Sequence, residues 1–330
     1  MMLTKIVFPI IIAAIAISVG VFVVRSRSSV TPQPVAESNQ PSVATKEQAA
    51  TTGLTGSLIV VTKGGQIERV NLADSARSQL VKDEKLRLAK TAPGAKQLIT
   101  VTTASASSAN LNLYDPASGK TTKLAELSLS GAPPIVSPDG KQYLSASFSN
   151  FEVEFGWHVY LNTVGQSNKK EVFSTPESLT SVAFSPDASK IAFVVSKGKG
   201  GSEVTVVNLK TEKGSEIYTT NAEILSLAWG GSTIFFVEAP AKKGQANQAE
   251  LYQMSDSGKD KKQLTTNDRA ENFVAAAADG SKVAFLDLSY SSGNVTPETT
   301  GTVSVLDLKS GKVQTFGEAV QVAGFEATSE

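Results

Sequence analysis

The feature that most constrains this chain is a repeat. FSPDASKIAFVV (184–195) has relatives in VSPDGKQYLSAS (136–147), AADGSKVAFLDL (277–288), WGGSTIFFVEA (229–239) and TAPGAKQLITV (91–101). Each places an apolar run, a tight turn and a second apolar run side by side. A second element follows downstream: IERVNLADS at 67, LNLYDPASG at 111, VYLNTVGQS at 159, VTVVNLKTE at 204, LYQMSDSGK at 251 and VSVLDLKSG at 303. Each is an alternating strand that ends near Asn, Asp or Ser and runs into a turn. Recurrence at a spacing of about 45 residues, with no sustained helical period, predicts an all-β six-bladed β-propeller of four-stranded blades.

The strands of each blade are designated a to d from the channel outward. The repeat places the a strands near 86–91, 132–137, 179–185, 223–229, 271–277 and 320–326. The propeller, 54–330, then starts with a b strand at Ser57–Val61 and ends with an a strand. One blade combines both ends of the chain, which closes the ring and leaves fewer free sheet edges.

Within the repeat, Pro186-Asp187 presets a turn: proline fixes φ, and the aspartate side chain bonds nearby backbone amides. Asp139-Gly140 and Asp279-Gly280 occupy the same place in their blades. These aspartates read as scaffold, and Trp229, standing where Phe184 stands in its own repeat, reads as core.

The copies resemble the Pro-Asp-type, WD40-like repeats of the TolB family of periplasmic six-bladed propellers, over about 54–330. That family carries a globular α/β domain ahead of its propeller. The first 53 residues here read instead as an anchor and a tether, so the family's partner contacts are not carried over. The repeats also look like the propellers of prolyl-oligopeptidase and dipeptidyl-peptidase enzymes, without the Gly-x-Ser-x-Gly elbow of their hydrolase domains.

Ile6–Val24 is a run of 19 residues without a charge, within residues 1–24. At about 1.5 Å per residue it spans the ~30 Å hydrocarbon core, and it runs on well past the cleavage-like Ala14-Ile15-Ala16. The expectation is an uncleaved, single-pass transmembrane helix with the C-terminal domain extracytoplasmic, periplasmic or extracellular. Residues 25–53 are rich in Ser, Thr, Pro and Gln, lack aromatics and read as a disordered linker averaging roughly 30 Å end to end.

Chemistry is narrowly bounded. The chain has no cysteine and one histidine, so thiol catalysis, Cys-based zinc sites and multi-histidine metal sites are excluded. Lys+Arg and Asp+Glu balance at 31 each, which gives no field that favours nucleic acid. A Ser–His–Asp triad would have to run through His158. SGKT (118–121) lacks the glycine of a phosphate loop, having Tyr114 in its place, and DSGKD (256–260) lacks the spacing of a calcium loop. No catalytic residue, metal ligand or cofactor site emerges; carboxylates and carbonyls are the ligands that remain, a donor set suited to calcium or magnesium, with calcium the one cation entertained.

Two features rise above this background. Acidic residues recur at or just before strand a: Glu84, Glu177, Glu223, Glu271 and Glu318. They are expected on the face formed by the d–a and b–c loops, where a ring of carboxylates at the channel mouth would hold a cation or a basic peptide. Long b–c connections reach the same face, and the most aromatic, FSNFEVEFGWH (148–158), offers Phe151, Phe155, Trp157 and His158 as a partner-binding loop. The expected function is a binding or scaffolding module of the cell envelope with a protein or peptide partner. The alternative is a carboxylate- or metal-dependent hydrolase, such as a glycoside hydrolase, at the channel mouth.

Overall fold

The computed structural model describes residues 53–105, 108–128, 134–151, 155–198, 200–240, 249–267, 269–288 and 299–327. The expected anchor and nearly all of the linker lie outside the described residues. Among those described, no helix is long and apolar enough to cross a membrane.

Six antiparallel four-stranded sheets make up the fold. From the innermost strand outward, the first blade is β24 (Gln321–Phe325), β1 (Ser57–Thr62), β2 (Gln66–Asn71) and β3 (Arg77–Lys82). The second is β4 (Leu86–Lys90), β5 (Leu98–Thr103), β6 (Ser108–Asp115) and β7 (Lys120–Ser128). The third is β8 (Ile135–Val136), β9 (Gln142–Ser149), β10 (Gly156–Thr163) and β11 (Lys169–Thr175). The fourth is β12 (Leu179–Phe184), β13 (Lys190–Ser196), β14 (Ser202–Asn208) and β15 (Lys213–Thr220). The fifth is β16 (Glu223–Gly230), β17 (Thr233–Ala239), β18 (Glu250–Ser255) and β19 (Lys262–Gln263). The sixth is β20 (Ala270–Ala276), β21 (Lys282–Leu288), β22 (Gly301–Asp307) and β23 (Val313–Ala319).

The burial of each strand explains its composition. Each blade is sandwiched between two others, so a b strand is covered on both faces and reads as a nearly continuous apolar run. In β13, Ile191 to Val195 are all buried, and β17 buries Ile234 to Val237. Outer strands such as β15 are mostly exposed and polar. The core therefore lies between blades, with Phe184, Phe193, Trp229, Phe235, Phe236 and Phe285 among its largest buried side chains.

The turns behave as the repeat predicts. Ser185 Oγ donates to Asp187 Oδ1 at 2.6 Å and accepts from Lys190 N at 2.9 Å, while Asp187 Oδ1 accepts from Ser189 N at 3.0 Å. Ser137 and Asp139 repeat the pair at 2.6 Å. The serine hydroxyls, then the backbone amides, hold both aspartates below the usual carboxylate range. Asn71, Asp115, Asn208 and Asp307 bond backbone amides two or three residues on and so start the c–d turns.

The ring closes as expected. β24 pairs antiparallel with β1 through Leu58↔Phe325, Ile59↔Gly324, Val60↔Val322 and Val61↔Gln321. Side chains at the inner strands then stitch one blade to the next: Ser181 Oγ accepts from Leu227 N at 3.1 Å, and Ser226 Oγ from Val274 N at 3.3 Å. Both serines lie where the a–b register shifts, so the bulge turns them away from their own ladder and toward the next blade.

Candidate functional site

In this topology the d–a and b–c connections share one face of the ring, and the a–b and c–d turns share the other. β1 begins, and β24 ends, on the a–b face. Both ends of the described chain therefore lie opposite the face on which the sequence places its candidate site.

On the b–c face, β9 and β10 form a hairpin paired from Gln142↔Thr163 out to Ser149↔Gly156. Phe148 stands opposite Trp157, with ring centroids 5.2 Å apart, and Phe155 meets Phe148 edge-to-face at 5.5 Å. Nearer the ring, the same strand faces carry Leu144, Ala146 and Val159 into the core. The aromatic group is thus a continuation of the inter-blade apolar surface beyond the point where blades cover it. Phe148 is 43% exposed, Phe155 55% and Phe151 76%. Trp157 is half-buried beneath them. Glu152 to Glu154 lie outside the described residues.

His158 points to the other face of the hairpin from Trp157. Its Nδ1 lies 3.1 Å from Glu171 Oε2, and its ring stacks on Tyr160 at 6.5 Å. The Ser185–Asp187 pair sits in an a–b turn, at the end of the fold opposite this hairpin, so the geometry does not assemble a triad from the three.

The five acidic residues do not share one environment. Glu84 lies exposed in the turn before β4 and Glu223 opens β16, also exposed. Glu177 is half-buried and bonds Lys197 at 3.4 Å. Glu318 lies exposed near the end of the outer strand β23, just before the inner strand β24 begins, with its carbonyl accepting from Arg77 Nη1. Glu271 is fully buried in β20, opposite Asp287 in register. All five stand at or just before an inner strand, as the repeat places them, but Glu271 is turned into the interior while the other four are exposed or half-buried.

Glu271 has an environment the sequence does not reveal. Burial, opposed by the Asn267 Nδ2 bond of 2.7 Å and reinforced by the nearby Glu250 and Asp287 carboxylates, raises its pKa to about 8. Asn267 also donates its backbone N–H to Glu250 Oε1 at 2.9 Å, tying the fifth blade to the sixth. One oxygen of each of Glu250, Glu271 and Asp287 is buried without a hydrogen-bond partner. Among the described residues, no group of three or more His, Asp or Glu is placed to hold a metal ion.

A cavity of about 20 Å³ near the a–b end of the channel is lined by Lys90, Ala183, Trp229, Ala276 and Gly324, room for about one water. Burial lowers the Lys90 pKa to about 8, and its Nζ donates to Val182 O at 3.0 Å. Two shallow, adjoining clefts of about 720 and 500 Å³ open on the a–b face, sharing Lys96 and Glu326 in their walls.

No family model and no curated protein matches this sequence. Solved structures do match. TolB from Acinetobacter baumannii superposes with a TM-score of 0.60 at 13% identity, over 85% of this chain and 68% of that one. A protein assigned as TolB from Agrobacterium tumefaciens gives 0.59 at 13% identity, over 82% and 94%. An oligogalacturonate lyase from Vibrio parahaemolyticus gives 0.51 at 10% identity, over 81% and 80%. At such identities the likeness is one of fold, and the fold of this chain is that of a TolB-like six-bladed propeller.

Proposed function

We propose that this protein is a membrane-tethered, extracytoplasmic binding module whose b–c face docks a protein partner through the aromatic end of the β9–β10 hairpin. The observation that carries this reading is the grouping of Phe148, Phe151 and Phe155. They are three of the four large apolar side chains exposed among the described residues, and all belong to one hairpin. Aromatic rings bury much area at low entropic cost and dominate interface hot spots. The sequence sets Glu152 and Glu154 among them, which favours a basic partner and a salt-sensitive association.

The test is a photo-crosslinking residue at position 149, beside the rings, in the intact, anchored protein. A discrete adduct that disappears in the Phe151→Ala/Phe155→Ala double variant, at unchanged thermal stability, supports docking here. Loss of the adduct together with a large fall in stability means the rings are core and the reading is wrong. Protease added to spheroplasts tests location, since full protection of the propeller refutes export.

A second reading, carboxylate chemistry, draws on the raised pKa of Glu271 beside Glu250 and Asp287 and on the fold likeness to oligogalacturonate lyases. The unpartnered oxygens of all three are sealed from solvent, so no substrate reaches them, and the binding reading is preferred.

A further inference from the structure

Three aromatic rings from three strands of two neighbouring blades converge on one ammonium group. Tyr218 stands on β15 of the fourth blade, Phe236 on β17 and Tyr252 on β18 of the fifth. Phe236 and Tyr252 stack with centroids 5.7 Å apart, and Tyr218 meets Phe236 at 5.6 Å. Lys261 Nζ lies 4.4 Å from the Tyr252 centroid, 4.8 Å from Tyr218 and 5.6 Å from Phe236. It donates to Glu238 Oε2 at 2.7 Å and to Tyr218 Oη. Aromatic faces around one cation, closed by a carboxylate, are the chemistry by which proteins recognise substituted ammonium groups.

The cage is organised without the lysine. Tyr218 Oη donates to Glu238 Oε2 at 3.0 Å and Thr220 Oγ1 to Glu238 Oε1 at 3.3 Å, so the carboxylate is aimed from the neighbouring blade. The rings hold one another by stacking, and Phe236 is fully buried. The lysine, by contrast, sits beside the shortest outer strand of the ring. It immediately precedes β19, which is two residues long and pairs through Tyr252↔Gln263 and Gln253↔Lys262. Beyond β19, Leu264 N donates to Leu251 O and Leu251 N to Thr265 Oγ1, so the attachment lies on the far side of β19 from the lysine. The outer strands β3, β7, β11, β15 and β23 have six to nine residues. Lys261 itself remains 30% exposed against 13% for Glu238, which shows that the cage opens toward solvent along the lysine stem.

We propose that the cleft between the fourth and fifth blades is a recognition site for a substituted ammonium group, occupied in this conformation by the chain's own Lys261 as a displaceable plug. Burial by itself disfavours a charge there, but Glu238 and Tyr218 outweigh it and keep the Lys261 amine protonated, its pKa raised. A ligand bearing a fixed positive charge meets the same rings and the same carboxylate once β19 lets go. This site is independent of the hairpin on the b–c face.

The experiment titrates tetramethylammonium into wild-type protein and the Lys261→Ala variant, read by saturation transfer from the aromatic protons to the N-methyl signal. The expected result is saturable binding at least tenfold tighter in K261A than in wild type, and a tenfold loss when Tyr252→Ala or Glu238→Gln is added. The uncharged isostere 3,3-dimethylbutan-1-ol should bind at least tenfold more weakly than choline. Choline and Nε-trimethyl-lysine then separate a small-molecule source from a protein side chain, by which binds tighter. No binding to K261A with native near-ultraviolet dichroism, or equal binding of the uncharged isostere, overturns the proposal. Should K261A not fold, wild type carries the test: excess tetramethylammonium must shift the Lys261 ¹⁵Nζ resonance, and an unmoved resonance overturns it.

Discussion

Gln321 and Ala89 exchange two hydrogen bonds across the join of the ring: Gln321 Nε2 donates to Ala89 O at 2.6 Å, and Ala89 N donates to Gln321 Oε1 at 3.3 Å. A side-chain amide here takes the part of a peptide group, linking the inner strand of the first blade to that of the second. Gln321→Ala leaves both backbone groups of a fully buried residue unpaired, a cost of about 2–4 kcal/mol. Urea unfolding should show this loss with an unchanged slope. A loss below about 0.5 kcal/mol would mean that water replaces the amide. Deleting 319–330 removes β24 altogether, uncovers the edge of β1 and should abolish a single cooperative transition; a truncated protein that melts like the full one refutes the closure role.

Ala188 has φ of +57°, in the left-handed region that L side chains avoid. Gly140 and Gly280 hold the equivalent turn position at +71° and +72°, each donating N–H three residues back as Ala188 does to Ser185 O. A Cβ in this region costs about 1–2 kcal/mol, and the extra freedom of glycine in the unfolded chain returns part of it. Ala188→Gly should therefore stabilise by about 0.5–1 kcal/mol and raise the melting temperature by about 1–4 °C for a domain of this size. A fall in stability would show that the methyl packing outweighs the backbone strain.

The fold was legible because each blade repeats the same burial problem. A b strand covered on both faces must be apolar throughout, and its turns must be polar, so FSPDASKIAFVV declares strand, turn and strand together. Inner-strand ranges and the closing pair follow from that count. Contacts between blades were not legible. Tyr218 and Lys261 are 43 residues apart, on strands whose relation depends on how far each blade rotates about the channel. The acidic residues show the same limit: Glu84 and Glu271 look alike next to strand a, yet one is exposed before β4 and the other sealed within β20. The aromatic hairpin could be placed from sequence because its alternation is local, and only the structure decides which of its rings are covered.

Glu271 makes stability fall as pH rises. Its folded pKa, about 8, lies above the unfolded carboxylate value near 4.3. The folded state then binds a proton that the unfolded state has released, so this contribution is fully present below about pH 4 and is lost progressively up to about pH 8. Glu271→Gln keeps the shape, cannot ionise, and offers an N–H to the neighbouring carboxylates. The variant should gain stability over wild type at pH 8, on the order of a few kcal/mol, and approach it at pH 5. Chemical denaturation at both pH values decides; parallel pH profiles for the two proteins would show that Glu271 titrates normally.

The last prediction separates the hairpin's scaffold from its contact surface. Phe193 is fully buried and stacks on Phe173 at 4.8 Å, so Phe193→Ala should cost about 3–5 kcal/mol, as for other large core truncations. Phe148 is partly exposed but supports both Phe155 and Trp157, and its loss should cost about 1 kcal/mol through these ring pairs. Phe151, the most exposed of the group, should be replaceable by alanine within about 0.5 kcal/mol. Partner binding should follow another order, with Phe151→Ala and Phe155→Ala severe because their rings are open to solvent in the unbound protein. Phe193→Ala, where it still folds, should bind nearly as wild type. Thermal melts beside crosslinking yields at position 149 compare the two orders directly. If yield falls in proportion to stability across all four variants, the hairpin is only the exposed end of a core, and the docking surface lies elsewhere on the propeller.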